Sequence, residues 1–553
     1  MSTPQEPAML HPSGHVDAWP RAQLPPLAEW PVLRLEAPYD YPPQLNAAVR
    51  LLDDAVAEGH GERTALVVPA DGGWTEVSYA TLQADVDALA HVLVSDLGLV
   101  PGNRVLLHGY NGRWLATAWL ATVKAGLVAV ATMPLLRAGE LRVVLERARC
   151  QAALTDTRLV SEVEQAVAHL DAPIPIRCWG ASGPASLEAL TAARRTPFTA
   201  CLTASDDVCL IAFTSGTTGV PKGCMHFHRD VMAMCDGFAA QVLRLTPEDR
   251  TIGTPPFAFT FGLGGLLCFP LAARASAVLV ERATPDSLLE MIATTGATAT
   301  FTAPTFYRMM ALAIRQAPGR FDTRGLRHSV SAGEALPDAT RTLWRDACGI
   351  EMLDGIGTTE LIHIFIAAAG TAVRPGAIGR PVPGYEVAIL DNDLRPLPVG
   401  EVGRLAVRGP TGCRYLADPR QRDYVQGGWN LTGDAAHLDE DGYVFFKART
   451  DDLILSAGYN IGAPEVEAAV LQHPAVAECA VTGVPDPDRG HAVKASIVLK
   501  AGHAPSDALA REIQDFVKAT IAPYKYPRVV EFLDELPKTA SGKLQRFRLK
   551  EAR

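Results

Sequence analysis

Ten consecutive residues, Thr214 to Gly223, hold four hydroxyls, three glycines and a lysine, directly after the apolar run Cys209 to Phe213. Glycines let a backbone approach a ligand and turn its N–H groups outward. The hydroxyls of Thr214, Ser215, Thr217 and Thr218 add donors, Gly216 and Gly219 supply the freedom, and Lys222 supplies positive charge. That is the chemistry a polyphosphate requires. The plainer alternative is a flexible surface loop. The G-x-x-x-x-G-K-[ST] spacing of a P-loop occurs nowhere in the chain.

Such a loop needs a rigid strand behind it, and the pattern supplies strands. Arg104 to His108, Leu127 to Thr132, Val208 to Phe213, Ala277 to Val280 and Thr298 to Thr302 read as buried strands alternating with helical segments such as Trp114 to Lys124. That alternation predicts α/β layering on largely parallel sheets. After about Asp434 the pattern shortens. Gly442 to Arg449, Val476 to Val484 and Val493 to Leu499 read as strands, Pro464 to Gln472 and Asp507 to Thr520 as helices. The expected architecture is α/β: a large multi-layer domain over residues 1–448, and a small mobile α+β domain over 449–553. The cleft between unequal domains is a natural ligand site.

Composition narrows the function. The 553 residues suffice for three or four compact modules, and 48% are hydrophobic. A formal net charge of −10 argues against nucleic acid as a partner, without excluding anionic small ligands. The ten cysteines stand singly, with no CxxC or zinc spacing, and read as reduced thiols. The proline-bearing N-terminus reads as an extended arm and not a signal peptide. The most apolar stretch, Trp114 to Leu136, is interrupted by Lys124 and Gly126 and reads as a buried helix and strand, not a membrane span. The expected location is the cytoplasm.

The glycine-rich loop resembles the signature of the acyl-adenylate-forming superfamily of acyl-CoA synthetases, luciferases and adenylation domains. Five further motifs follow in that family's order. Ser331, Ala332, Gly333, Glu334, Ala335 and Leu336 resemble its adenine-side segment. Asp354, Gly355, Ile356, Gly357, Thr358, Thr359 and Glu360 resemble its Y-G-x-T-E motif, with Asp354-Gly355 preceding where an aromatic is common. Leu431-Thr432-Gly433-Asp434 matches its T-G-D, Arg449-Thr450-Asp451-Asp452 its hinge, and Pro537 to Lys543 its P-K-T-x-S-G-K. The similarity runs from about residue 45 to the end.

The resemblance implies the roles. Thr214 to Gly219 and Lys222 would cradle ATP phosphates, and Glu360 would hold magnesium, which prefers one or two carboxylates plus phosphate oxygens. Asp434 would bond the ribose hydroxyls, and Arg449 the ribose or phosphate. Lys543 would bridge carboxylate and α-phosphate oxygens as charge develops. Taken singly, Asp434 reads as a turn residue, and Glu360 and Lys543 as solvated charges. The family's small domain turns between adenylation and thioester formation, which makes Asp451 the hinge and sets Gly458, Tyr459 and Phe259 along the coenzyme A tunnel.

Pro255 to Gly264 matches the family's aromatic-gate segment, with Phe259 as gate. Thr260 stands where α-amino-acid enzymes carry Asp to pair the ammonium. Phe257, Phe259 and Phe261, with Gly262 and Gly264, suit a flat ring; the alternative is that they are core strand residues. The stretches Pro221 to Asp230, Glu360 to Phe365, Gly379 to Tyr385 and Tyr41 to Asn46 resemble aryl-CoA ligases for benzoate and especially 2-aminobenzoate. His228 and His363, with Gly333 and Gly357, are the further candidates for the acyl pocket, although a lone histidine is commonly structural. The partners expected are an aryl acid, ATP with Mg2+, and coenzyme A, with a carrier protein as alternative acceptor. The chain is read as a monomer or homodimer.

Overall fold

The computed structural model describes residues 10–214, 221–449, 453–456, 459–486, 490–538 and 544–551. The chain forms two compact units. The larger is built from Met1–Gly216, Val220–Glu386 and Val407–Asn430, the smaller chiefly from Val387–Ala406 and Leu431–Arg553.

Two sheets organise the larger unit. One has six strands, in the order Ile176–Trp179, Ala152–Asp156, Arg104–His108, Val128–Thr132, Val208–Thr214, Lys222–Phe227. All its neighbours are parallel except the last pair, which is antiparallel. The other has nine strands and runs parallel through its middle, from Met352–Gly357 to Thr64–Ala70, with antiparallel strands at both edges. Strands such as Arg104–His108 are buried along their whole length, as parallel strands covered on both faces must be. One hydrophobic cluster joins the sheets: Leu107 from the first and Phe301 and Val330 from the second share it with Trp119 and Leu89 of the intervening helices.

Local signals set the helix limits. Ser78 caps Tyr79–His91. Thr284 caps Pro285–Thr295, which Gly296 ends at φ 66°. Seven of the ten cysteines are buried and none is in a disulfide, so they pack as small apolar groups. Among the described residues no helix is long and apolar enough to cross a membrane.

In the smaller unit, Val476–Asp486 and Gly490–Leu499 form a long antiparallel pair, with Val529–Phe532 parallel to the latter. Ala463–Val470 and Asp507–Thr520 share its core through Val466, Val470, Ile513 and Val517. Trp429–Leu438 and Val444–Arg449 pair antiparallel, which sets Asp434 opposite Arg449.

Candidate active site

Thr214 ends its strand and Lys222 opens the next, directly across from it. Ser215, Gly216, Thr217, Thr218 and Gly219 between them lie outside the described residues. Thr214 Oγ1 is buried with no hydrogen-bond partner among the described residues. At the loop's far end Arg147 donates to the Pro221 carbonyl at 2.9 Å and pairs with Asp418 at 3.1 Å. Arg420, then Arg147, hold the Asp418 carboxyl well below the ordinary carboxylate range.

Lys222 does not stand alone. Its Nζ donates to the Tyr415 hydroxyl at 2.7 Å and lies 3.6 Å from Glu360 Oε1. It also sits over the ring faces of Tyr415 and Tyr424, at 4.6 and 5.9 Å. Glu360 is buried within the 3-10 turn Thr359–Leu361, which follows the strand Met352–Gly357 and is capped by Thr358. Thr358 Oγ1 is 3.2 Å from the Tyr424 hydroxyl. Tyr415 comes from a segment that bonds onto Lys222–Phe227: Met225 N–H donates to the Arg414 carbonyl and Leu416 N–H to the Gly223 carbonyl, both at 2.8 Å.

Behind this corner Arg414 forms a fully buried ion pair with Asp230 and stacks 4.1 Å from the Phe227 ring centroid. Burial alone would push the Asp230 carboxyl up. Arg414, His226 and Arg229 outweigh it and set it at about 2. Lys222 and Glu360 are therefore both held by neighbouring side chains, as binding geometry requires.

The adenine-side candidates lie at neighbouring strand ends. Ser331 is in register with Asp354. Gly333 adopts φ 91°, which glycine allows, and Gly333, Glu334 and Ala335 are exposed. Glu334 accepts from Thr305 at 2.9 Å. Asp354 accepts from Gly355 N–H at 3.1 Å, and burial lifts its carboxyl to about 7. Gly355 packs on Ile364, and a Cβ at Gly357 would meet the His363 carbonyl at 2.6 Å. In the smaller unit Asp434 Oδ1 takes a bond from Arg449 Nη1 at 2.9 Å, and the same nitrogen donates to the Thr432 carbonyl at 2.8 Å. Asp451, Gly458 and Lys543 lie outside the described residues; Tyr459 opens the strand Tyr459–Gly462.

The aromatic-gate segment is not a core strand. Pro255 and Pro256 lead into a turn, Phe259 caps the short helix Thr260–Leu263, and a π-helical stretch, Gly264–Cys268, follows. Phe257 and Thr260 are buried, Phe259 and Phe261 half-buried. His363 lies against three rings: Phe269 at 4.5 Å, Phe238 at 5.4 Å and Phe261 at 5.9 Å between centroids. A Cβ at Gly264 would come within 2.6 Å of the imidazole. Neither ring nitrogen of His363 makes a well-formed hydrogen bond among the described residues, and burial, only partly opposed by the Phe261 backbone, lowers its pKa to about 3. It is therefore a neutral imidazole at any physiological pH. His228 sits elsewhere. Its Nδ1 accepts from Ala47 N–H at 3.1 Å, burial sets its pKa to about 3, and none of its described hydrogen bonds or ring contacts is to the Phe238–Phe269 cage.

Between Glu360 and His363 lies Ile362, with φ 66° and ψ −36°. A β-branched residue avoids that region, and holding it there costs about 1–3 kcal/mol. Sequence reading missed Tyr415, Tyr424, Phe238 and Phe269. Tyr415 lies 193 residues from Lys222 and 55 from Glu360 in the chain, and nothing in the spacing marks it.

A lysine and a glutamate held at one corner, beside an orphaned hydroxyl, fit a magnesium–triphosphate: the metal prefers few protein carboxylates and completes its shell from phosphate and water. Among the described residues no cluster of three or more His, Cys, Asp or Glu could hold a metal by itself. The chain matches the AMP-binding enzyme family over residues 53–415 and the C-terminal domain of AMP-binding enzymes over 465–543. It belongs to that family and is an AMP-forming acid–CoA ligase, using ATP, Mg2+ and coenzyme A. It is 35% identical to benzoate–CoA ligase of Thauera aromatica, over 92% of this chain and 97% of that enzyme. The structure of the anthranilate CoA ligase AuaEII in complex with anthranoyl-AMP superposes with a TM-score of 0.85, at 35% identity, covering 92% and 97% of the two chains. A benzoate CoA ligase from Burkholderia xenovorans LB400 gives 0.80, at 32% identity, covering 92% and 100%.

Proposed function

We propose that this enzyme activates an aryl carboxylic acid, with 2-aminobenzoate preferred, as its AMP ester and transfers the acyl group to coenzyme A. The observation that carries the substrate reading is the neutral, unpartnered His363 in a cage of phenylalanines, three residues after Glu360. A flat ring suits the cage. An imidazole held neutral offers one acceptor and one donor; an uncharged aniline amine can answer both, whereas an ammonium has no acceptor for the N–H and finds no countercharge. Thr260 supplies no charge for an α-ammonium either. Several relatives are named for acids of this class: benzoate, 3-hydroxybenzoate and anthranilate.

In the first half-reaction the acid's carboxylate attacks the α-phosphate and pyrophosphate leaves. Lys222, Thr214 and the residues of the 215–219 loop hold the phosphates, and Glu360 would hold the magnesium, which neutralises the triphosphate. Gly333, Glu334, Ala335 and Asp354 to Thr359 face the adenine, Asp434 and Arg449 the ribose, and Lys543 the developing charge. Positioning and charge neutralisation do most of the catalysis. In the second half-reaction the thiolate of coenzyme A attacks the mixed anhydride and AMP departs. The small domain, residues 449–553, turns about Asp451 between the two, exchanging Lys543 for Gly458 and Tyr459 at the thiol path.

Steady-state kcat/KM for 2-aminobenzoate, benzoate, salicylate, octanoate and phenylalanine tests this. The expected order puts 2-aminobenzoate first. A win for octanoate or phenylalanine would remove the aryl reading; a win for benzoate or salicylate would remove only the ortho-amino preference.

A further inference from the structure

Tyr415 is 1% exposed, and its hydroxyl stands between two groups of opposite charge. It accepts from Lys222 Nζ at 2.7 Å and donates to Glu360 Oε1 at 2.5 Å. A phenol carries one O–H donor and can accept as well, so a single hydroxyl serves both neighbours. The ring is fixed from several sides. Tyr415 N–H donates to Gln421 Oε1 at 2.9 Å, the flanking residues bond to Lys222–Phe227, and the Tyr424 ring meets it edge-on at 5.8 Å.

The hydroxyl has a consequence for its neighbours. Lys222 and Glu360 are 3.6 Å apart, beyond a direct charge-assisted bond of about 2.7–2.9 Å. Without a spacer, a lysine and a glutamate in a buried site close on each other. Each would then satisfy the other, and the pair would have to be parted before a triphosphate and its metal could enter. With the spacer, the bonds of Glu360 to Tyr415 and its approach to Lys222 both fall on Oε1. Oε2 and two of the three ammonium hydrogens stay outside the arrangement.

We propose that Tyr415 is a positioning residue for adenylation: its hydroxyl keeps Lys222 and Glu360 from closing into a directly hydrogen-bonded pair and turns both toward the metal–triphosphate. The inference rests on reading Lys222 as the phosphate lysine and Glu360 as the magnesium carboxylate.

Tyr415→Phe tests it, since it removes the hydroxyl and keeps the ring that packs on Lys222. ATP–pyrophosphate exchange is measured against Mg2+ and against ATP for the wild type, Tyr415→Phe, Glu360→Gln and the double variant. Thioester formation from supplied acyl-AMP and the thermal midpoint are measured alongside. Tyr415→Phe is expected to raise half-saturation for both Mg2+ and ATP about tenfold, the loss of one bond to a charged group. Thioester formation should stay within about twofold, and the double variant should be no worse than Glu360→Gln. Unchanged half-saturation in Tyr415→Phe, with a shifted Mg2+ curve in Glu360→Gln, overturns the spacer role. Equal loss in both half-reactions overturns it too, since that is the mark of a general structural defect. An unchanged Mg2+ curve in Glu360→Gln overturns the reading of the site itself, and the spacer role with it.

Discussion

The corner around Lys222 and the cage around His363 are both buried in the larger unit, and the short stretch from Thr358 to His363 serves both, but they treat polar groups differently. At the corner, Lys222, Glu360, Tyr415 and Tyr424 are linked by hydrogen bonds and ring contacts, and the Arg414–Asp230 pair braces them from behind. In the cage, a fully buried imidazole has no side-chain partner among the described residues. A linked network of charges and hydroxyls holds its geometry without a ligand, whereas an isolated buried polar group costs free energy until a ligand answers it. On the proposed function, the contrast separates a part preformed for the charged nucleotide from a part that meets the acid.

Breaking the brace should have the largest effect. Arg414→Ala leaves Asp230 buried without its ion-pair partner, and is expected to lower unfolding stability by about 3–5 kcal/mol in a urea titration. A loss under 1 kcal/mol would mean that the pair contributes little to the corner's rigidity. On the nucleotide side, Lys543→Ala should cut acyl-AMP formation about 100- to 1,000-fold, or about 2.7–4 kcal/mol. Thioester formation from supplied acyl-AMP should survive, and a matching loss in both steps would end the assigned role.

The cage should answer differently. His363→Leu removes an unpaired buried polar group, so stability should hold or rise slightly. The preference for 2-aminobenzoate over benzoate should fall by about 1–3 kcal/mol in relative kcat/KM. Unaltered selectivity would show that the imidazole does not meet the ring's substituent.

The smallest effect is a pH slope. His363 and His228 take a proton only near pH 3 in the folded chain, against about 6.5 when unfolded. Between those values the unfolded state binds more protons, so stability falls as pH falls below 6.5, by up to about 1.4 kcal/mol per pH unit for each ring, and neither contributes above it. Thermal midpoints from pH 8 to pH 5 should decline accordingly, and His363→Leu should make the decline shallower. An identical slope in that variant would mean the ring is not held neutral.

The same contrast explains what the sequence allowed to be read. Asp507–Thr520 was legible to the residue, because an amphipathic helix writes its period into the chain. The strand before Thr214 was legible as an apolar run, and the phosphate chemistry as glycines and hydroxyls at fixed spacing. Tyr415 was not, because it acts through residues 193 and 55 positions away and resembles any loop tyrosine. Phe257 to Phe261 left open a strand that does not form: Pro255 and Pro256 direct the chain into a turn and a helix. Phe238 and Phe269 belong to the cage only through tertiary packing, which no local pattern records.

Ile362 carries an implication for redesign. Its backbone is wound against its own preference, its N–H is tied back to the Thr359 carbonyl at 3.1 Å, and its side chain is fully buried. The three-residue step from Glu360 to His363 is thus a locked spacer, with no slack to absorb an insertion or a shifted turn. Anyone recutting the acyl end for a bulkier acid by moving this backbone would drag the Glu360 carboxylate with it. Room is better made at Phe238, Phe261 and Phe269, whose side chains can be trimmed while that spacer keeps its length.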